Sequence, residues 1–336
     1  MNPTSIVLPL AVGAALSLLT VPLARWFALR IGFVNHPNPI VAQHVRPVAY
    51  LGGPGIALAI LIAVVALPFV KDAQAAKMLL PGVAFLILGI ADDRKAFPAG
   101  PKFLFQALLA LFAVLSGLVY PVTGLIVADR ALSMSWILIL VNAFNLVDVC
   151  DGLLAGLAAI FFAFCIVIAP AHAALAALVC GACLGFLFYN RPRATIFLGD
   201  AGSHFLGFMA AAISLTPGNT WTPRQYIPAL GLALAVPLFE TTFLVIVRSA
   251  HGMPWWRGSP DHFALRLQAA GLTAARTDLI AWGIAALLTA GALLFPTLEG
   301  NGKLGVVVAA AVAAAVSAWY LLKLGPARRT SPATNG

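Results

Sequence analysis

The sequence predicts an all-α, polytopic integral membrane protein, and three observations carry that expectation. Of 336 residues, 62 % are hydrophobic and 9 % charged, against roughly 45–50 % and 25 % in an average soluble domain. The apolar residues fall in runs long enough to cross a bilayer, which takes about 20 residues per helix. The lysines and arginines of this chain, whose net charge is +9, lie mostly between those runs. A soluble globule of this size cannot hide so much apolar surface, which excludes a soluble enzyme, a coiled coil and a disordered chain. In a soluble protein such a charge points to nucleic acid. Here it is read as basic loops that set orientation and meet anionic membrane lipid, with no nucleic-acid partner.

Hydropathy and Pro/Gly breakers predict eleven spans, with ten the alternative count: 5–24, 52–70, 78–91, 103–120, 133–148, 152–169, 172–189, 203–216, 226–247, 279–296 and 304–322. The first run, Ile6 to Leu23, has no basic segment before it, so a retained span is expected rather than a cleaved signal peptide. The spans 78–91 and 203–216 are short, and adjoining polar residues are expected to continue those helices. The longest polar connections are 25–50 and 248–278, neither large enough for a soluble domain. Residues 1–323 therefore read as a single transmembrane catalytic domain. The tail 324–336, rich in Pro, Arg, Ser, Thr, Asn and Gly, reads as a disordered cytoplasmic tail. Cys165, Cys180 and Cys183 lie inside apolar runs and Cys150 beside a polar cluster, so all four read as core thiols.

The loops between these spans are strongly asymmetric. Five of the twenty lysines and arginines (Lys71, Lys77, Arg130, Arg224 and Lys303) fall on one side, and the other fifteen on the opposite side. Basic residues favour the cytoplasm, so the fifteen mark the cytoplasmic face and the N-terminus lies outside. Asp92, Asp93, Asp148, Asp151, Asp200, Asp261 and Asp278 gather at the same face. Carboxylates at span ends are costly unless paired, solvated or bound to a cation, so their clustering predicts a shared site.

Five motifs carry candidate chemistry. Asp92-Asp93-Arg94-Lys95 ends a span with two adjacent carboxylates, which a divalent cation or nearby arginines can keep ionised; a solvated loop cap is the plainer reading. In Asn142-Ala-Phe-Asn145-Leu-Val-Asp148-Val-Cys-Asp151-Gly152, polar side chains recur every three residues, so neighbouring pairs share a helix face. Oxygen donors of this kind suit Mg²⁺; a polar seam between packed helices is the alternative. In Asn190-Arg-Pro-Arg193 through Gly199-Asp200-Ala-Gly202-Ser203, glycines flank a carboxylate before a helix, which fits either an anion-binding turn or a simple N-cap. The loop from Arg248 to Arg276 holds Trp255-Trp256-Arg257 with Asp261, His262 and Arg266, and reads as an interfacial anchor or a substrate-binding lid. The loop from Asn35 to Arg46-Pro47 is turn-rich, and its histidines His36 and His44 lack metal-ligand spacing.

Taken in order, these motifs resemble the polyprenyl-phosphate N-acetylhexosamine-1-phosphate transferases of the glycosyltransferase 4 group. The matching pieces are Arg46-Pro47 with Gly52-Gly53; Ala91-Asp92-Asp93-Arg94 with Pro101-Lys102 and Gln106; the Asn142–Gly152 run with Gly156; and the Asn190–Ser203 run with Gly207, covering about residues 25 to 270. The resemblance implies transfer of a sugar-1-phosphate from a UDP-N-acetylhexosamine to polyprenyl phosphate, usually undecaprenyl phosphate. UMP leaves and Mg²⁺ is the cofactor, with Mn²⁺ an alternative. It implies Asp200 as a metal ligand assisted by Asn145, and Asp92 and Asp93 as the catalytic pair, completed by Asp148 and Asp151. Asn190, Arg193, His262, Arg266, Lys102 and Arg46 are the implied substrate-binding residues. It also implies a multi-pass enzyme of the inner (plasma) membrane with a cytoplasmic active site, priming cell-envelope polysaccharide, and it allows a homodimer. Asn35, Gln43-His44 and Glu240-Thr241 depart from the family pattern. The loop 260–267 has one histidine, not the triple histidine expected of phospho-MurNAc-pentapeptide transferases, which favours the N-acetylhexosamine branch over that alternative. An ion-coupled transporter would place its carboxylates near the bilayer midplane rather than at one face.

Overall fold

The computed structural model describes residues 4–36, 47–67, 73–218 and 221–325. Its helices are α1 (Thr4–Arg30), α2 (Gly52–Ala66), α3 (Ala73–Arg94), α4 (Ala99–Leu115), α5 (Ile126–Val147), α6 (Leu153–Ile168), α7 (Ala173–Asn190), α8 (Gly199–Leu215), α9 (Pro223–Ala233), α10 (Ala235–Ala250), α11 (Phe263–Ala269), α12 (Ala274–Leu294) and α13 (Gly300–Leu324). Every predicted span falls on a helix, and the chain is an all-α membrane protein. Six helices are long and apolar enough to cross a bilayer, seven if the bent pair α9–α10 counts as one span, while α2, α4 and α6 are apolar but shorter.

Three features depart from the sequence reading. The predicted single span 226–247 is broken at Leu234, where α9 and α10 meet at 73°. Pro237 has no N–H to give the carbonyl of Ala233, so the helical ladder is interrupted there. The long connection 248–278 contains α11. The connection 25–50 contains a short antiparallel pair, β1 (Val34–Asn35) with β2 (Val48–Ala49). Most of the predicted tail, from residue 326 on, lies outside the described residues.

The bundle is built around α8. All of its residues except Asp200 are buried, so an apolar helix is enclosed by protein with one carboxylate at its open end. Its walls are α3, α5, α2 and α6. The outer layer is tightened by small residues: a Cβ on Gly13 of α1 would strike the carbonyl of Leu178 in α7, and one on Gly181 would strike that of Leu10. Such close backbone approach is how helices associate in lipid, where burial alone gives no advantage. Pro22 leaves the Leu18 carbonyl without its helical donor, and the Tyr189 hydroxyl donates to that oxygen at 2.9 Å. α13 is the opposite case: of its residues only Leu321 is buried.

The segment between α7 and α8 is held in place by backbone pairing. Ile196 bridges Ala49, the Phe197 N–H donates to Ala49, and the N–H groups of Gly52 and Gly53 donate to the carbonyls of Phe197 and Leu198. The first donors of α2, which have no partner within their own helix, are thereby satisfied, and the start of α8 is fixed against them.

Candidate active site at one end of the bundle

α3, α5 and α7 end where α4, α6 and α8 begin, and the polar motifs sit at those ends. Lys102, in the first turn of α4, reaches across to two carboxylates. Its Nζ lies 2.7 Å from Asp92 Oδ2 at the end of α3 and 2.6 Å from Asp200 Oδ2 at the start of α8. The other oxygens are also engaged: Asp92 Oδ1 accepts the Phe97 N–H at 2.6 Å, and Asp200 Oδ1 accepts Asn145 Nδ2 of α5 at 2.8 Å. Asn145 Nδ2 also reaches Ser203 Oγ at 3.1 Å. Lys102, Asp92, Asp200 and Asn145 thus form one connected cluster from four helices, with side-chain exposures of 18 % for Lys102, 8 % for Asp92 and 25 % for Asp200.

Asp93 stands beside Asp92 but faces a different task. Its two carboxylate oxygens accept the N–H groups of Asp200 and Ala201. Gly199 makes this approach possible. Its φ is +76°, and a Cβ there would stand 2.6 Å from Asp93 Oδ2.

One turn further along, the same helices form a second polar layer. Gln106 follows Lys102 by four residues, His204 follows Asp200 by four, and Asn142 precedes Asn145 by three, so each pair shares a helix face. Asn142 Nδ2 donates to Gln106 Oε1 at 3.0 Å, and Gln106 Nε2 lies 3.3 Å from His204 Nε2. His204 is completely buried. The sequence reading assigned nothing to His204, although the i, i+4 step from Asp200 was a usable signal.

Asp148 lies just past the end of α5 and is half-buried, and among the described residues its side chain makes no hydrogen bond. Burial first, then the charges of Asp200, Asp93 and Asp151, hold its carboxyl well above the usual carboxylate range. Asp151 accepts the Ala194 N–H at 3.0 Å. Asn190 accepts the Gly152 N–H at 3.0 Å and donates to the Ile196 carbonyl at 2.9 Å. Asp151 and Asn190 therefore lash the 191–198 segment to the start of α6. Arg193, exposed at the crest of that segment, has a φ of +65°, a left-handed backbone that is costly for a residue with a Cβ. Tyr50, just before α2, is a second residue that sequence reasoning missed. Burial and the charges of Asp93, Asp200, Asp148 and Asp92 together push its hydroxyl well above the normal phenol range.

His262 and Arg266 lie in a separate buried network. His262 Nδ1 is 2.7 Å from Glu240 Oε1, whose partner oxygen accepts the Phe263 N–H. Arg266 binds the carbonyl and carboxylate of Asp261, donates to the Leu321 carbonyl of α13, and lies over the Phe243 ring. Nearby, Arg248 holds the Trp255 carbonyl and Ser259, which presents Trp255 and Trp256 to the outside. One contact ties this network to the site: Gln268 of α11 donates to Cys150 Sγ at 3.1 Å, beside Asp148 and Asp151. Arg46 lies outside the described residues. The four cysteines are free and buried.

Residues 75–218, from α3 to α8, match glycosyl transferase family 4. Over 304 residues the chain is 31 % identical to a probable undecaprenyl-phosphate N-acetylglucosaminyl 1-phosphate transferase of Bacillus subtilis, spanning 85 % of this chain and 84 % of that relative. The chain belongs to glycosyl transferase family 4. A second relative, a decaprenyl-phosphate N-acetylglucosaminephosphotransferase of Mycobacterium tuberculosis, is 31 % identical over 336 residues, spanning 86 % of this chain and 83 % of its own length. A phospho-N-acetylmuramoyl-pentapeptide-transferase of Microcystis aeruginosa is 49 % identical, but over 85 residues, 24 % of each chain. The family 4 match contains the whole Lys102 cluster and leaves the His262–Arg266 network outside it.

Proposed function

We propose that this transferase moves an N-acetylhexosamine-1-phosphate from a UDP-sugar to polyprenyl phosphate, with undecaprenyl phosphate the expected carrier, releasing UMP. The reading places the eleven spans in the inner (plasma) membrane with the N-terminus outside and the site at the cytoplasmic face, priming a cell-envelope polysaccharide. The observation that carries it is the bridge of Lys102 to Asp92 and Asp200, a cation between two carboxylates at the head of a buried helix. The similarity to polyprenyl-phosphate sugar transferases, over 85 % and 86 % of the chain, supports the same substrate class.

The chemistry requires two phosphates to meet. An oxygen of the lipid phosphate attacks the sugar-linked phosphorus, a new P–O bond forms, and the bond to the UMP phosphate breaks. The lipid phosphate is a monoester with a second pKa of about 6, so at neutral pH it is largely dianionic and needs little help from a base. Repulsion between the reactants is the main obstacle, and positioned positive charge lowers it. Lys102 supplies one such charge and Arg193 another. Asp92 orients the attacking phosphate, and Asp93 holds the start of α8, and with it Asp200, in place. Asp151 and Asn190 hold the Arg193 segment over the site.

The donor set suits Mg²⁺. The side chains are oxygen donors, and an ammonium already sits between two of the carboxylates in the manner of a small cation. Mg²⁺ usually takes one or two carboxylates and completes its shell with phosphate oxygens and water. Asp200 and Asn145 would hold it, with Asp92 alongside. When bound, the ion neutralises the diphosphate and stabilises the departing UMP.

The test is transfer of label from UDP-N-acetylglucosamine to a butanol-extractable lipid, with UMP as co-product and dependence on Mg²⁺. A panel of UDP-N-acetylhexosamines and UDP-MurNAc-pentapeptide identifies the sugar. Purified, folded protein that labels no lipid with any donor would falsify the reading, and full activity in Asp200→Asn would remove Asp200 from the site.

A further inference from the structure

We propose that Lys102 is an internal counter-ion that competes with the divalent cation for Asp92 and Asp200, and that cation binding releases Lys102 to meet an incoming phosphate. This inference rests on the metal assignment proposed above. The ammonium touches one oxygen of each carboxylate, at 2.7 Å and 2.6 Å. The remaining oxygen of each is held by a neutral donor, the Phe97 N–H and the Asn145 amide. The oxygens that take no neutral donor are the ones that Lys102 occupies. A divalent ion bound to the same oxygens at about 2.0–2.1 Å cannot share that space with an ammonium. The two cations are mutually exclusive on these atoms.

This arrangement answers two needs. Without Lys102, two carboxylates would face each other at a partly buried site with nothing to offset their repulsion. With it, both carboxylates share one counter-ion, at 2.7 Å and 2.6 Å. The lysine stem has four rotatable carbons and its base is fixed on α4, one turn from Gln106 in the His204 layer. The head group is therefore free to swing while the helix stays in register. Once displaced, the ammonium serves as a point charge for phosphate. The resting enzyme thereby holds its metal weakly, and phosphate that takes up the released ammonium tightens the metal's hold.

The experiment is Mn²⁺ binding to the full chain in detergent without either substrate, followed by loss of the free-ion electron paramagnetic resonance signal. Lys102→Met should bind Mn²⁺ at least about tenfold more tightly than wild type, since a positive charge is removed from contact distance of the ion. Lys102→Arg, which keeps the charge, should bind no more tightly than wild type and controls for misfolding. The gain should vanish in Lys102→Met combined with Asp200→Asn. Equal or weaker Mn²⁺ binding by folded Lys102→Met, in a preparation whose wild type transfers sugar phosphate to lipid, overturns the competition. A wild type that labels no lipid overturns the function proposed above instead.

Discussion

Asp93 caps the helix that carries Asp200: its two carboxylate oxygens take the backbone N–H groups of Asp200 and Ala201, at 2.8 Å and 3.1 Å. Adjacent aspartates in the sequence therefore do different work. Asp93→Ala should destabilise the protein by about 0.5–2 kcal/mol, the range for loss of a side-chain helix cap, and lower activity by letting Asp200 drift. Asp92→Asn should leave stability nearly unchanged while reducing turnover by at least about a hundredfold, the size of effect seen when one charge-stabilising contact is lost. Thermal melts in detergent beside initial rates separate the two. Equal losses of stability in both variants would contradict the division.

The Asn190 side chain joins two segments through two buried bonds, from Gly152 and to Ile196. Asn190→Ala leaves a buried N–H and a buried carbonyl without partners, and should cost about 1–3 kcal/mol for each unsatisfied group. Asn190→Asp keeps the acceptor and loses the donor, so its melting temperature should fall between wild type and alanine.

Arg266 is 2 % exposed and engages Asp261, the Leu321 carbonyl and the Phe243 ring. Removing one partner of a buried ion pair costs about 3–5 kcal/mol because the other charge is left stranded. Arg266→Ala should therefore reduce the yield of folded protein and its melting temperature far more than it alters the KM for nucleotide sugar. Normal stability with a raised KM would return Arg266 to the role of substrate contact.

The raised carboxyl of Asp148 makes stability depend on pH. In the unfolded chain it titrates near 3.9, whereas in the fold burial and three neighbouring carboxylates raise it. Between the two values the unfolded state is ionised while the folded state keeps its proton, so stability falls as pH rises from about 4 through the folded value. In chelator, Asp148→Asn should be more stable than wild type at pH 8, and the gain should disappear near pH 4. Melts across that range read the sign directly, and a gain that grows toward acid would refute it.

The apolar helices were legible because hydropathy is an average over many residues and tolerates local errors. Which of them cross the bilayer was not legible, since α2, α4 and α6 are apolar but shorter than a span. The break at Leu234 was not, because Pro237 does not itself say whether a helix bends or merely loses one bond. At the site, the motifs Asp92-Asp93, Asn145, Asp148 and Asp200 were readable as a group since charges in apolar sequence are costly and so stand out. Their separate jobs were not readable. Whether Asp93 meets a substrate or the amides of α8 depends on the φ of Gly199 and the packing of α3 against α8. His262 and Arg266 illustrate the same limit: a basic loop suggests substrate, while Glu240 and Asp261 become their partners only once α10 and α11 are folded together.

The enclosure of α8 also bears on how the protein is made. A helix headed by Asp200, Ser203 and His204 is a poor guest in lipid alone, since each polar group there lacks a partner. Lys102, Gln106, Asn142 and Asn145 all precede it in the chain. By the time α8 leaves the ribosome its polar hosts have already been synthesised, and the order of the genes' codons doubles as an order of assembly. Synthesised ahead of α4 and α5, the newborn helix would be without its hosts.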